Sequence, residues 1–205
     1  MGEIMQFVKP AAAGMVIFVA FAGTAVADSD WQTIQAAGDP RITIDIPAAV
    51  HQESAADPKK GELMAFFAAN SEGDETLACF LNRNEYSKNM NAQAWQAALQ
   101  SKDAAMMCDK NGANISNHEL DTYASTTSSG YVASTCDAAY TDGSEKLKGG
   151  IISVMSIAAP DAFYTLTCEV GATDKDEAIA AWLVTWKDVV AHVQTSLQLP
   201  APPEK

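Results

Sequence analysis

The sequence predicts an α+β domain in which helices pack on an antiparallel β-sheet, stapled by disulfides. Three observations predict it. Strand-like apolar runs come in two blocks with short, turn-like connections. Only two segments switch to a helical period, one between the blocks and one at the end. Strands in runs, with just two helices among them, give α+β. Four cysteines, an even number, add covalent cross-links.

The chain opens MGEIMQFVKPAAAGMVIFVAFAGTAVADSD. Lys9 is a positive flank, Ala11 to Ala22 an apolar run, and Ala25-Val26-Ala27 a small-x-small cleavage signal. A membrane span needs about 20 apolar residues, and this run is shorter. Residues 1–27 are therefore expected to be a secretory signal peptide cleaved after Ala27. No cysteine follows the apolar run, so a lipid anchor at a lipobox is excluded. Residues 28–199 are expected to form one domain, followed by a flexible Pro-rich tail over residues 200–205.

In PRITIDIPAAV, Ile42, Ile44 and Ile46 alternate before Pro47, which predicts a short strand closed by a breaker. GELMAFFAAN and ETLACFLNRN flank SEGD and predict a hairpin. The period then changes: Ala92, Trp95, Ala98, Leu99 and Met106 form a helical stripe, with Asn89 or Asn91 as cap and Asn111-Gly112 as stop. Four strands follow at about 115–125, 130–140, 147–158 and 162–170. Their connections STTSS, TDGSEK and APD are short, as antiparallel hairpins require. In the last segment Asp174 and Glu177 resemble a capping box. Ile179, Trp182, Leu183, Trp186, Val189, Val190, Val193 and Leu197 then make one apolar stripe expected to face the core.

Cys79, Cys108, Cys136 and Cys168 show no C-x-x-C spacing, which argues against zinc and thioredoxin-like redox chemistry. In an exported chain they read as two disulfides. In a meander, the strands of Cys136 and Cys168 are separated by the strand around Val154. Next-nearest strands lie about 9.5 Å apart, beyond the ~7 Å Cα limit for a disulfide. That disfavours Cys136–Cys168. With Cys108 at the end of the first helix, above a strand, the expected pairs are Cys79–Cys168, joining the first hairpin to the last strand, and Cys108–Cys136, pinning the helix.

The formal charge is −13 and the pI about 4.4, which excludes basic surfaces for nucleic acid or anionic membranes. His51, His118 and His192 fall in separate segments without ligand spacing. DKNGANISNHE superficially suggests a calcium loop, but its sixth position is Asn114, where an EF-hand needs Gly. No G-x-S-x-G elbow, P-loop, H-E-x-x-H or dinucleotide fingerprint occurs. Asp188 and His192, four apart, read as a surface pair rather than a catalytic dyad. No catalytic, cofactor or metal residue is assigned.

Trp31 followed by DPRITIDIPAAV resembles the opening of the PsbP/Mog1-like superfamily, where an early aromatic precedes a phi-x-phi-x-phi-P strand. The hairpin, helix, meander and C-terminal helix complete a similar order. The resemblance implies an α/β/α sandwich, an antiparallel sheet flanked by helices, and a role as an assembly or binding factor. It transfers no functional residue. The function expected is thus a non-enzymatic periplasmic or secreted accessory protein acting by protein–protein contact, with another envelope protein as partner and no cofactor. Tyr123, Tyr131 and Tyr140 are candidate interface anchors. The alternative is a small-ligand or metal binder, or an enzymatic site assembled from loops.

Overall fold

The computed structural model of the protein describes residues 31–48, 51–53, 61–69, 75–101, 122–140, 149–172 and 180–201. The expected signal peptide, Met106, Cys108, the 109–119 loop, the TDGSEK connection and the Asp174 cap lie outside them.

Two strands, β1 (Trp31–Ala36) and β2 (Asp39–Pro47), pair antiparallel as a separate two-stranded sheet. Period-2 alternation points Ile34, Ala36, Ile42, Ile44 and Ile46 into the core, and β2 ends at Pro47 as its missing N–H requires. The sequence pattern located β2 but not its partner β1. These strands lie on the main sheet as a layer instead of joining it.

The main sheet is antiparallel throughout, with seven strands: β3 (His51–Glu53), β4 (Glu62–Ala69), β5 (Glu75–Asn84), β6 (Thr122–Ser128), β7 (Tyr131–Tyr140), β8 (Gly149–Ala158) and β9 (Phe163–Ala172). Their order is β3-β4-β5-β9-β8-β7-β6. The last strand therefore inserts beside the β4–β5 hairpin, placing Cys79 directly opposite Cys168. On one face Phe66, Cys79, Leu81, Ile151, Ile157, Leu166 and Cys168 form the core with the β1–β2 hairpin and the C-terminal helix. On the other, Cys136, Ala138, Ile152 and Val154 form a smaller cluster. Helix α1 (Ala92–Leu99) packs toward β7 and β8, with Trp95 against Phe163 at 4.6 Å between ring centroids. Asn91 is its cap, accepting from the Ala94 N–H at 2.8 Å.

Two elements differ from their sequence reading. The first four residues of the hydroxyl-rich STTSS segment are strand rather than connection. Ser128 pairs with Tyr131, and the turn is Ser129-Gly130 alone, both with positive φ (51° and 80°), as a two-residue type I′ hairpin requires. In the C-terminal helix the expected stripe is broken. A π-helical turn, Trp182–Trp186, precedes α2 (Lys187–Ser196), with the Lys187 N–H bonded to the Trp182 carbonyl. The one extra residue in that turn rotates the upstream side chains by about a quarter turn. Trp182 is buried as expected, while Leu183 is turned out and 56% exposed beside exposed Val184. Val189, Val190, Val193 and Leu197 remain in the core as expected.

Candidate functional site

Beyond the core, the ends of β5 and β9 carry polar side chains on the same face. Arg83 stands opposite Tyr164, one alternation step from the buried pair Leu81 and Leu166. Arg83 is fixed from behind: its N–H bonds the Gly61 carbonyl at 2.7 Å, and Gly61 has φ +85°. A Cβ at Gly61 would sit 2.3 Å from the Arg83 carbonyl oxygen, so glycine is required there.

Four further segments close around this pair. The β1–β2 turn at Ala37-Gly38 docks through a bond from the Ala37 N–H to the Leu63 carbonyl at 3.0 Å, at a bulge of β4. Asp39 and Arg41, two apart on β2, share a face. The Arg41 Nε and Nη2 donate to the two Asp39 oxygens at 2.9 and 2.7 Å, and the Arg41 N–H donates to Oδ1 at 3.1 Å. The β8–β9 connection, closed by a bond from the Ala159 N–H to the Ala162 carbonyl, presents Pro160 and Asp161, whose Oδ2 accepts from Arg83 Nη2 at 2.9 Å. The segment after α2 crosses beside them. Gln198 and Thr43 exchange both backbone bonds, Ser129 Oγ accepts from the Leu199 N–H, and the Tyr131 hydroxyl donates to the Pro200 carbonyl at 2.8 Å. The described chain thus continues past the expected 199 boundary, with Pro200 and Ala201 lining the site.

Together these segments enclose a cleft of about 530 Å³. Its floor is Ile42, Leu63, Tyr131 and Tyr164; its rim is Asp39–Arg41 on one side and Arg83–Asp161 on the other. Arg41 and Arg83 are the two arginines of the whole sequence, and both stand here. The guanidinium of Arg41 holds the Asp39 carboxyl below its usual range. The bond to Asp161 raises Arg83, while burial raises Tyr164 against an opposing contribution from Arg83. Burial likewise raises Tyr131, and pushes Tyr86, which donates to the Ala159 carbonyl at 2.6 Å, up to about 12. At neutral pH Asp39 and the two guanidiniums are therefore charged, and the three phenols are neutral.

Among the described residues the lining of the cleft has no Ser, Thr, Cys, Lys or His; its ionisable groups are two Asp, two Arg and two Tyr. Among the described residues no group of three His, Cys, Asp or Glu side chains could hold a metal ion, and no helix is long and apolar enough to cross a membrane.

Of the residues singled out from sequence, Cys79 and Cys168 form the expected disulfide, both buried. Cys136 is disulfide-bonded as well; Cys108, its expected partner, lies outside the described residues. Tyr131 is not a surface anchor: it is buried, with its hydroxyl bonded to Pro200, and serves as cleft floor. The side chains of Tyr123 and Tyr140 lie outside the described residues. His192 approaches Asp45 at 3.8 Å and stacks on Trp31 at 3.8 Å between centroids, tying α2 to the β1–β2 hairpin. Ser196, nearby, donates to the Val193 carbonyl and accepts from the Asp45 N–H, so it is a structural link.

No protein-family model matches the sequence, and no curated protein sequence matches it. Solved structures do match. The Ran-binding protein Mog1p of Saccharomyces cerevisiae superposes with a TM-score of 0.55 at 13% identity, covering 84% of this chain and 97% of Mog1p. LpqN of Mycobacterium tuberculosis, involved in cell envelope biogenesis, gives 0.48 at 14% identity over 84% and 93%. The cyanobacterial PsbP of Synechocystis gives 0.46 at 12% identity over 84% and 94%. At such identities the likeness is one of fold, and the match to Mog1p carries it. The likeness to Mog1p shows the fold: the protein has a Mog1-like α+β fold.

Proposed function

We propose that the protein is an exported, non-enzymatic accessory protein that binds another polypeptide in the Arg41/Arg83 cleft. One observation carries the reading: the cleft's charged groups are already paired with one another on a frame of several strands and turns, which makes a pre-organised recognition surface. Export is supported by the signal-like opening and by disulfide-bonded cysteines, which persist in an oxidising compartment. That the yeast neighbour is a Ran-binding protein is a fold-level analogy for partner recognition and names no partner here. A volume of about 530 Å³ also suits a small molecule, which is the second reading.

A photo-cross-linking residue at exposed Pro160, on the cleft lip, separates the two. The control site is exposed Gln93 on α1, across the sheet. In the native cell envelope, position 160 should yield one discrete cross-linked polypeptide that position 93 does not. The same products from both sites, or none from 160, would contradict the proposal.

A further inference from the structure

We infer that the ligand group read by this cleft is an isolated carboxylate on a polypeptide, taken by Arg83 in place of Asp161. The inference rests on the binding role proposed for the cleft and specifies its chemistry.

The two rim pairs are not equivalent. Asp39 holds Arg41 at three points from two residues away on the same strand. Asp161 meets Arg83 through one bond, from a short turn, with its side chain 70% exposed. An exposed pair of this kind contributes little, so an incoming carboxylate displaces Asp161 at small cost. Arg83 itself stays in place, because its strand pairs with β9 opposite Tyr164 and its backbone N–H bonds the Gly61 carbonyl. A guanidinium fork already aimed at a carboxylate geometry accepts another carboxylate without rearrangement. Asp161 is then a built-in placeholder for the ligand group.

Charge selects against other anions. The chain carries −13, so a polyanion meets long-range repulsion. The cleft lining, with two arginines and two aspartates, is itself neutral and admits a single negative group. The floor of Ile42, Leu63 and Tyr131 asks for an apolar side chain next to that carboxylate. Two sources supply this chemistry: an acidic side chain within a polypeptide, or its terminal carboxylate.

The test is amide and Arg Nε NMR titration of the full mature chain with blocked dipeptides. Acetyl-Leu-Glu-methylamide probes the side-chain source and acetyl-Leu-Leu with a free carboxylate the terminal one. Acetyl-Leu-Gln-methylamide and acetyl-Leu-Leu-amide are the neutral counterparts. At least one carboxylate probe should shift Arg83 and Asp161, with its neutral counterpart about ten-fold weaker, and which probe does so identifies the source. Asp161→Asn, on an exposed turn, should tighten that probe roughly two- to five-fold, and Arg83→Gln should abolish the preference for charge. Equal binding of charged and neutral probes, an unchanged affinity in Asp161→Asn, or a preference surviving in Arg83→Gln would each overturn the inference. If position 160 cross-links a polypeptide while the probes show no charge preference, the carboxylate inference fails and partner binding stands. Charge-dependent probe binding without a cross-linked polypeptide leaves the opposite result.

Discussion

Cys79 and Cys168 face each other across β5 and β9 with Cα atoms 4.1 Å apart, close to the short spacing of antiparallel partners that exchange no hydrogen bonds. The bridge spans 89 residues of sequence and ties the β4–β5 hairpin to β9. Closing so long a loop lowers the entropy of the unfolded chain, a stabilisation of about 4.5 kcal/mol on the chain-entropy model. The double variant Cys79→Ala/Cys168→Ala should lose stability of that order in urea unfolding, with the seven-stranded far-UV signature retained. A loss under about 1 kcal/mol would place the bridge outside the stabilising framework.

Gly61 and Gly38 both have positive φ, near +85°, yet their substitutions should differ. A Cβ at Gly38 meets open space, so Gly38→Ala should cost about 1 kcal/mol of left-handed strain. At Gly61 the Cβ collides with the Arg83 backbone, so Gly61→Ala should cost about 3 kcal/mol or more and displace Arg83. Thermal unfolding ranks the two, and the Arg83 Nε resonance reports the displacement.

Glu169 on β9 has its carboxyl raised above the ordinary 4.5 by burial. Its charged form is therefore disfavoured in the folded state. The penalty is fully present above the folded pKa and disappears as pH falls to the unfolded value. Glu169→Gln should accordingly raise Tm at pH 7, and the gain over the parent should vanish near pH 4. A gain independent of pH would assign the effect to packing.

Asn91 supplies the one side-chain cap of α1. Asn91→Ala should cost about 1 kcal/mol, and Asn91→Asp close to nothing, in chemical denaturation.

Much of this fold was legible because burial imposes periodicity. Ile42, Ile44 and Ile46 alternate strictly, and a strand with one core face must read that way. Strand β1 escaped notice because Trp31, Gln32 and Thr33 are exposed and only Ile34 and Ala36 point inward. The β6–β7 turn was misplaced because hydroxyl side chains suit an edge strand as well as a turn; Ser129-Gly130 alone bends the chain. Leu183 was assigned to the core because a strict helical period carries no sign of a π-helical turn. The cleft was not legible at all. Arg41, Arg83, Tyr131, Asp161 and Tyr164 come from separate strands and a turn, and only sheet order brings them together. The usable signal was compositional: a chain with two arginines, each near the end of an apolar strand run.

The most direct measurement is the affinity of the polypeptide cross-linked from position 160, by calorimetry, for the parent chain and for Arg83→Gln. Arg83 is partly exposed at the rim, so the substitution should leave Tm nearly unchanged. A loss of affinity of about ten-fold or more is the predicted result, the effect of removing one charge-assisted contact. Equal affinities for the two chains would place recognition elsewhere on the molecule and contradict the assignment of the cleft.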